Sequence, residues 1–135
     1  MRSSRLLLAP LAALAACASE PCTLLACADA LRVNFGPAGI PPPYLVTLSA
    51  DGEPLMFECG AAGLLSPDPG GRAECDANGF SIPRGPRAVT VTVRPLRDGG
   101  LAPARTTTAT PAYQELRPNG PSCQPVCRTG AITLP

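Results

Sequence analysis

Residues 89–93 read Val-Thr-Val-Thr-Val, a strict alternation of apolar and hydroxylated side chains. Successive side chains of a β-strand point to opposite faces, so this pattern predicts a strand with its valines in a core and its threonines toward solvent. Branching at Cβ also favours strands over helices. The stretch therefore predicts that the protein is built from half-buried strands.

The same alternation recurs on both sides of this segment. Leu31, Val33 and Phe35 share one parity, and residues 44–48, Tyr-Leu-Val-Thr-Leu, alternate in the same way. Further short strands are predicted at residues 55–59, 72–75, 80–82, 105–110 and 131–134, with a weaker candidate at 113–116. We therefore expect an all-β fold: a small antiparallel β-sandwich of seven or eight short strands, stapled by disulfides.

Turn-forming residues separate these strands. Asp51-Gly52 predicts a hairpin between the second and third strands, Asn78-Gly79 predicts another, and residues 97–100, Arg-Asp-Gly-Gly, predict a turn before 105–110. The 18 Pro and 13 Gly are spread along the chain, which excludes long helices from most of it. Only residues 23–30 could form one or two helical turns, and an extended lead-in is the alternative.

The first residues have the organisation of an export signal. Arg2 and Arg5 precede an uncharged apolar run over residues 6–16, and polar residues and Pro21 close that run. The run is too short to span a bilayer, which takes about 20 apolar residues. We interpret residues 1–16 as a signal-peptide helix that is removed on export.

The end of this signal, Leu14-Ala15-Ala16-Cys17, resembles the lipobox of bacterial lipoproteins. The resemblance implies that Cys17 is acylated and becomes the first mature residue, so the chain is anchored to a membrane by lipid such as palmitate. Residues 17–21 would then be a short lipidated tether, followed by a single domain at 22–135. In the lipoproteins that this chain resembles, an Asp after the modified Cys is the usual signal for retention in the inner membrane. Ala18 and Ser19 follow Cys17 here, so the resemblance implies the outer rather than the inner membrane. Ordinary secretory cleavage at Ala16-Cys17-Ala18 is the alternative, and it would release a soluble protein.

The mature chain keeps an even number of cysteines, and export favours their oxidation to three disulfides. Cys59 and Cys75 flank one Gly- and Pro-rich loop and are expected to pair with each other. The pairing of Cys22, Cys27, Cys123 and Cys127 stays open, because they could pair locally or tie the two termini together. A zinc site made of these four is the alternative, and export together with the absence of His argues against it.

The chain shows two further resemblances, the first to an architecture and the second to one short segment. The strands at residues 31–35, 44–48 and 89–93 are similar to those of the immunoglobulin-like and transthyretin-like sandwich domains on bacterial surface proteins, although the Cys-Trp-Cys signature of true immunoglobulin domains is absent. Residues 118–121, Pro-Asn-Gly-Pro, followed by Cys123 and Cys127, resemble small uncharacterised lipoproteins of predatory soil bacteria such as the myxobacteria. Neither resemblance implies catalytic residues.

Composition excludes several functions. The chain has no His, the side chain that most often does acid–base work near neutral pH, so we expect no enzyme activity, no metal site and no cofactor. Without Arg2 and Arg5, nine Arg stand against ten Asp and Glu, and this balance argues against a nucleic-acid partner. The expected function is a membrane-anchored binding or structural module of the cell envelope, whose partner is an envelope protein or polymer. Oligomeric state is left open.

Three further features could carry function. Five arginines close in sequence form the candidate binding face, toward lipid headgroups or an anionic polymer: Arg84, Arg87, Arg94, Arg97 and Arg105. Glu58 and Glu74 each precede a cysteine of the expected Cys59–Cys75 bond, which would bring the two acids together and suggests a carboxylate hydrolase as one alternative function. The loop between those cysteines suggests the other, an exported disulfide-rich inhibitor.

Overall fold

The computed structural model describes residues 22–66, 73–97 and 100–135. The predicted signal peptide and Cys17 lie outside these residues. Eleven strands are present in the described part of the chain: β1 (Ala30–Phe35), β2 (Tyr44–Ala50), β3 (Glu53–Gly60), β4 (Gly63–Ser66), β5 (Glu74–Asp76), β6 (Gly79–Ile82), β7 (Val89–Arg97), β8 (Gly100–Leu101), β9 (Arg105–Ala109), β10 (Tyr113–Leu116) and β11 (Cys127–Leu134).

The strands form two sheets, which confirms the predicted all-β fold. Sheet A has the order β10-β11-β1-β6-β5, and sheet B has the order β4-β3-β2-β7, with β8 and β9 both pairing with β7. No described residue is helical, and residues 22–29 are an irregular lead-in to β1. Every segment predicted as a strand contains one, including the weaker candidate at 113–116, whereas β4 and β8 were not predicted.

One pairing departs from the antiparallel pattern that the sequence predicts: β1 and β11 run parallel from Ala30↔Thr129 to Phe35↔Leu134. Parallel neighbours need a long connection, and here almost the whole domain lies between them. This pairing places the first and last strands side by side in the middle of sheet A.

The two Gly-containing hairpins form by different means. Asp51 and Gly52 are the two turn residues between β2 and β3, both with positive φ (51° and 88°), as the type I′ turn predicted by Asp-Gly requires. In the second hairpin the turn residues are Ala77 and Asn78, and Gly79 is already the first residue of β6. Gly79 is needed there because a Cβ at this position would collide with the Val33 carbonyl on β1.

The core lies between the sheets and is made of the alternate residues that the sequence pattern predicts. Its largest fully buried side chains include Tyr44 and Phe57 from sheet B and Phe80 from sheet A. Phe57 and Phe80 meet edge to face across the layers with their ring centroids 5.3 Å apart, a favoured aromatic geometry. The valines at 89, 91 and 93 are buried, so the opening stretch contributes one wall of this core.

The registers define two ends of the sandwich. We call the end where β1 and β11 begin the base. Because Leu31 pairs with Ile82 and Ala50 pairs with Val89, the loop at residues 83–88 and the Asp51-Gly52 turn also lie at the base. The distal end is where β1 stops at Phe35 and β2 starts at Tyr44. The lead-in at residues 22–29 and the connection at 117–126 both lie at the base.

Candidate functional site

Two disulfides bind the lead-in to the C-terminal region at the base. Cys22 is bonded to Cys123 and Cys27 to Cys127, with Cα atoms 5.7 and 6.0 Å apart. These bonds decide between the pairings left open by the sequence: the termini are tied together, and neither close pair is local. We call residues 22–29, together with 117–127, the terminal strap.

Asn119 completes the strap between the two bridges. Its side-chain oxygen accepts hydrogen bonds from the Thr23 hydroxyl (2.6 Å) and the Leu25 N–H (2.8 Å). Its amide nitrogen donates to the carbonyl oxygens of Leu25 (2.9 Å) and Gln124 (2.7 Å). Asn119 is the one buried polar residue found among the described residues, and these four bonds use its full capacity. The lead-in is therefore held firmly although it forms no strand.

An ion pair continues the strap toward the sheet. The Asp29 carboxylate accepts from the Arg128 guanidinium (2.8 Å) and from the Arg128 backbone N–H (2.8 Å). These two hydrogen bonds hold the pKa of Asp29 below its usual value. The guanidinium also lies 5.5 Å from the centroid of the Tyr113 ring, within cation–π range.

A small cleft opens at the distal end, opposite the strap. It holds about 210 Å³ and lies between the β1–β2 loop and the ends of β7 and β9. Most of the residues that line it have apolar side chains, and one is a cation: Gly39, Ile40, Pro41, Pro42, Pro95, Leu96 and Arg105. Pockets for drug-sized ligands are roughly 300–1,000 Å³, so this cleft fits a single side chain or a short organic acid.

Backbone hydrogen bonds shape the cleft in advance. The Ile40 N–H donates to the Ala77 carbonyl (3.0 Å), the Leu96 N–H to the Pro43 carbonyl (2.9 Å) and the Gly36 N–H to the Leu134 carbonyl (3.2 Å). Gly39 has a φ of 60°, and a Cβ there would lie 2.8 Å from the Ala77 carbonyl oxygen, so only glycine fits. A loop fixed at three points loses little entropy when a ligand binds.

Arg105 supplies the charge of the cleft. It pairs with Val93 across β7 and β9, and cross-strand partners share a face, so Arg105 lies on the core side of sheet B at its open edge. The side chain is half-buried and makes no ion pair with another described residue. A half-buried cation beside apolar walls favours an anionic group with an apolar body.

The structure does not bring the five predicted arginines onto one face. Arg84 and Arg87 lie in the loop at the base, whereas Arg94 is about 17 Å along β7 from Val89, toward the distal end. Arg94 alternates with the buried Val93 and points outward, so it faces away from Arg105. The side chain of Arg97 lies outside the described part of the structure. The length of β7 therefore separates Arg94 from Arg84 and Arg87, and the alternation of side chains along the strand separates Arg94 from Arg105.

The structure also corrects the expected approach of Glu58 and Glu74. Cys59 and Cys75 are bonded as predicted, with Cα atoms 5.8 Å apart, but the bond joins β3 of sheet B to β5 of sheet A. Both cysteines point into the space between the sheets. Because successive side chains of a strand point to opposite faces, Glu58 points outward from sheet B and Glu74 points outward from sheet A, on opposite sides of the sandwich. The two carboxylates cannot share a substrate. The loop proposed for an inhibitor includes residues 67–72, which are outside the described residues.

Asn119 and the cleft residues other than Arg105 were not among the site residues predicted from the sequence. Pro41, Pro42 and Pro95 could have signalled the cleft, because Pro beside or inside a strand marks the end of sheet pairing. Asn119 gave a weaker signal as the polar centre of a Pro-Asn-Gly-Pro turn.

A second depression, of about 400 Å³, lies beside β10 and β11. Uncharged and mostly small residues line it: Ala112, Gln114, Thr129, Gly130 and Ala131. Because no charged side chain converges there, the distal cleft is the better candidate site.

Comparison with known proteins finds no matching family model, no matching curated protein and no matching solved structure. Within the described ranges, the structure has no helix that is long and apolar enough to cross a membrane.

Proposed function

We propose that this protein is a non-enzymatic lipoprotein of the bacterial envelope, anchored through Cys17, that binds a small anionic ligand or side chain in the distal cleft. The anchor rests on the lipobox-like residues 14–17. The observation that carries the proposal is the arrangement of the two ends. The strap fixes Cys22, five residues after Cys17, at the base, and the preformed cleft lies at the opposite end.

This arrangement suits a tethered binding module. Cys17 is five residues before Cys22, a span of at most about 18 Å, so the base would stay close to the membrane. The distal cleft would then face away from the bilayer, where an envelope protein or polymer could reach it. Two or more acyl chains on the cysteine give a stable anchor.

Labelling with radioactive palmitate tests the anchor in a host that exports the chain. Wild type should carry the label and fractionate with membranes, with the outer membrane expected to hold more than the inner. Cys17→Ser should lose both properties. A wild-type chain without label would contradict the lipid anchor and favour the secreted alternative.

Straight-chain carboxylates from butyrate to octanoate are suitable probes of the cleft. We expect them to raise the melting temperature of wild type and of Arg94→Gln, but not of Arg105→Gln. Arg94→Gln is the matched control, because it removes the same charge from the same sheet on the outer face. Equal stabilisation of both variants would refute the assignment of this cleft.

A further inference from the structure

Few large apolar side chains are strongly exposed in the described residues, and most of them lie at the base. Leu24 is 100% exposed, Leu25 57%, Leu116 48% and Met56 59%. The first three belong to the strap or adjoin it, whereas Met56 is isolated on the outer face of sheet B. We call Leu24, Leu25 and Leu116 the apolar base.

The strap holds the apolar base in place. Leu24 and Leu25 lie between Cys22 and Cys27, and both backbone groups of Leu25 bind Asn119. Leu116 is the last residue of β10 and pairs with Cys127, the partner of Cys27. The leucines are therefore exposed on a cross-linked scaffold, and little conformational entropy remains to be lost when this surface is covered.

The charges at the base largely compensate one another, so apolar contact is the main attraction that this surface offers to a partner. Asp29 pairs with Arg128, and Glu115 pairs with Arg117 at 2.9 Å. Asp51 accepts hydrogen bonds from the backbone N–H groups of Arg87 and Ala88. Within the part of the chain that the structure describes, the remaining charged side chains near this end are two cations and two anions: Arg84, Arg87, Glu53 and Glu74. This near balance gives an anionic surface little hold.

The chain that precedes the strap indicates what covers the apolar base. Leu24 is seven residues after Cys17, a span of at most about 25 Å, and the proposed lipid anchor would hold Cys17 in a bilayer. The nearest apolar phase is then the membrane itself. Amphipathic helices on a membrane surface bury their apolar face about 5–10 Å into the boundary between headgroups and acyl chains, and the strength of such binding scales with the apolar area buried.

We infer that the apolar base is a membrane-docking surface that inserts into the bilayer interface beside the anchor. This inference rests on the proposed lipid anchor and goes beyond it, because a tether alone would let the domain tumble. Docking through three leucines would fix one orientation, with the distal cleft facing away from the membrane. Because the charges balance, docking needs no anionic lipid.

Tryptophan fluorescence tests this inference directly, since the natural chain contains no Trp. The full chain, carrying either Leu24→Trp or Met56→Trp, is purified from labelled membranes and placed in phosphatidylcholine vesicles. Some vesicles contain lipid brominated near the headgroup end of an acyl chain, which quenches indoles inserted at that depth. Both positions are exposed in the fold, so neither substitution disturbs the core.

The expected result is blue-shifted emission and bromine quenching for Leu24→Trp, with neither effect for Met56→Trp. The quenching should persist in high salt and without anionic lipid. A palmitate-labelled protein whose Leu24→Trp indole stays unquenched overturns the docking surface and leaves the anchor intact. Equal quenching at both positions overturns the single orientation. An unlabelled protein overturns the anchor, and the inference falls with it.

Discussion

Tyr44 is the residue that joins the two layers most directly. Its ring is fully buried on β2 of sheet B, and its hydroxyl lies 3.0 Å from the carbonyl oxygens of both Asp76 and Gly79 in sheet A. Burial, followed by the charge of Asp76, raises the pKa of Tyr44 far above its ordinary value of 10.0. The phenol thus stays protonated in the fold at a pH that ionises it in the unfolded chain.

This raised pKa predicts a loss of stability in alkali. The native state keeps a proton that the unfolded state releases, so the free energy of unfolding is unaffected below about pH 10 and falls above it, by up to about 1.4 kcal/mol per pH unit for one tyrosine. Tyr44→Phe should remove this contribution. At neutral pH the same variant should lose about 1–2 kcal/mol, because its hydrogen bonding to the two carbonyls is gone. Urea unfolding between pH 7 and 11 measures both effects.

Tyr113→Phe is the matched control for the alkaline effect. Burial also raises the pKa of Tyr113, but this tyrosine is only half-buried. Its removal should leave most of the alkaline decline in place. If Tyr44→Phe and wild type decline equally above pH 10, Tyr44 does not control the alkaline limb.

At the scale of elements, two hairpin glycines are needed for different reasons. Gly52 is needed for its backbone conformation alone, and Gly79 also because a neighbouring strand packs against it. A Cβ at Gly52 would meet nothing within 4 Å, and only the positive φ of 88° favours glycine there. At Gly79 the φ of 152° also favours glycine, and in addition a Cβ would collide with backbone atoms of β1, which pairs with β6. The first glycine allows a turn, and the second allows two strands to approach.

These two sites should therefore respond differently to alanine. Gly52→Ala should cost about 1–2 kcal/mol, the strain of a left-handed conformation, with the sheet unchanged. Gly79→Ala should cost more, about 3 kcal/mol or above, because the Val33 backbone cannot move without disturbing the core. Urea unfolding gives the costs, and amide exchange of β1 shows whether its pairing with β6 opens. Equal costs would contradict the difference inferred from the geometry.

Strand parity within an element was predictable, and the grouping of elements was not. The alternation at residues 89–93 and the Asp51-Gly52 turn follow from local sterics, so the chain shows them directly. Arg94 and Arg105 look equivalent in the sequence, yet one faces solvent and the other a cleft. That difference depends on the pairing of β9 with β7 in the register Val93↔Arg105, which the residues next to either arginine in the sequence do not determine.

For the whole molecule, the two disulfides of the strap join the same two segments of the chain, so either one alone closes the same long loop. Their sequence separations are 101 and 100 residues, and closing one loop of that length stabilises by about 4.7 kcal/mol in the chain-entropy model. Once one bridge exists, the other closes a ring of only about ten residues, which contributes roughly 3 kcal/mol in the same relation. Their effects on the unfolded chain are therefore not independent.

Disulfide removal should reveal this coupling. Replacing Cys22 and Cys123 by Ser should cost roughly 3 kcal/mol, and so should replacing Cys27 and Cys127, whereas replacing all four should cost roughly 7 to 8 kcal/mol. Chemical denaturation of the oxidised proteins measures each value. A quadruple variant that loses only the sum of the two pairs, or less, would contradict the single-cross-link description.

The sequence by itself determined the fold class, nine of the eleven strands in the described residues, the Cys59–Cys75 bond and the residues that face the core. Parity and turn chemistry are local properties, because each depends on a few neighbouring side chains. Only the tertiary structure decided that β1 lies parallel to β11, that the other four cysteines join the termini, and that Glu58 and Glu74 point away from each other. It also placed the strap and the cleft at opposite ends. These features join residues far apart in the chain. Local sterics do not favour one such pairing of strands or cysteines over another, and the packing of the two sheets selects the one that forms.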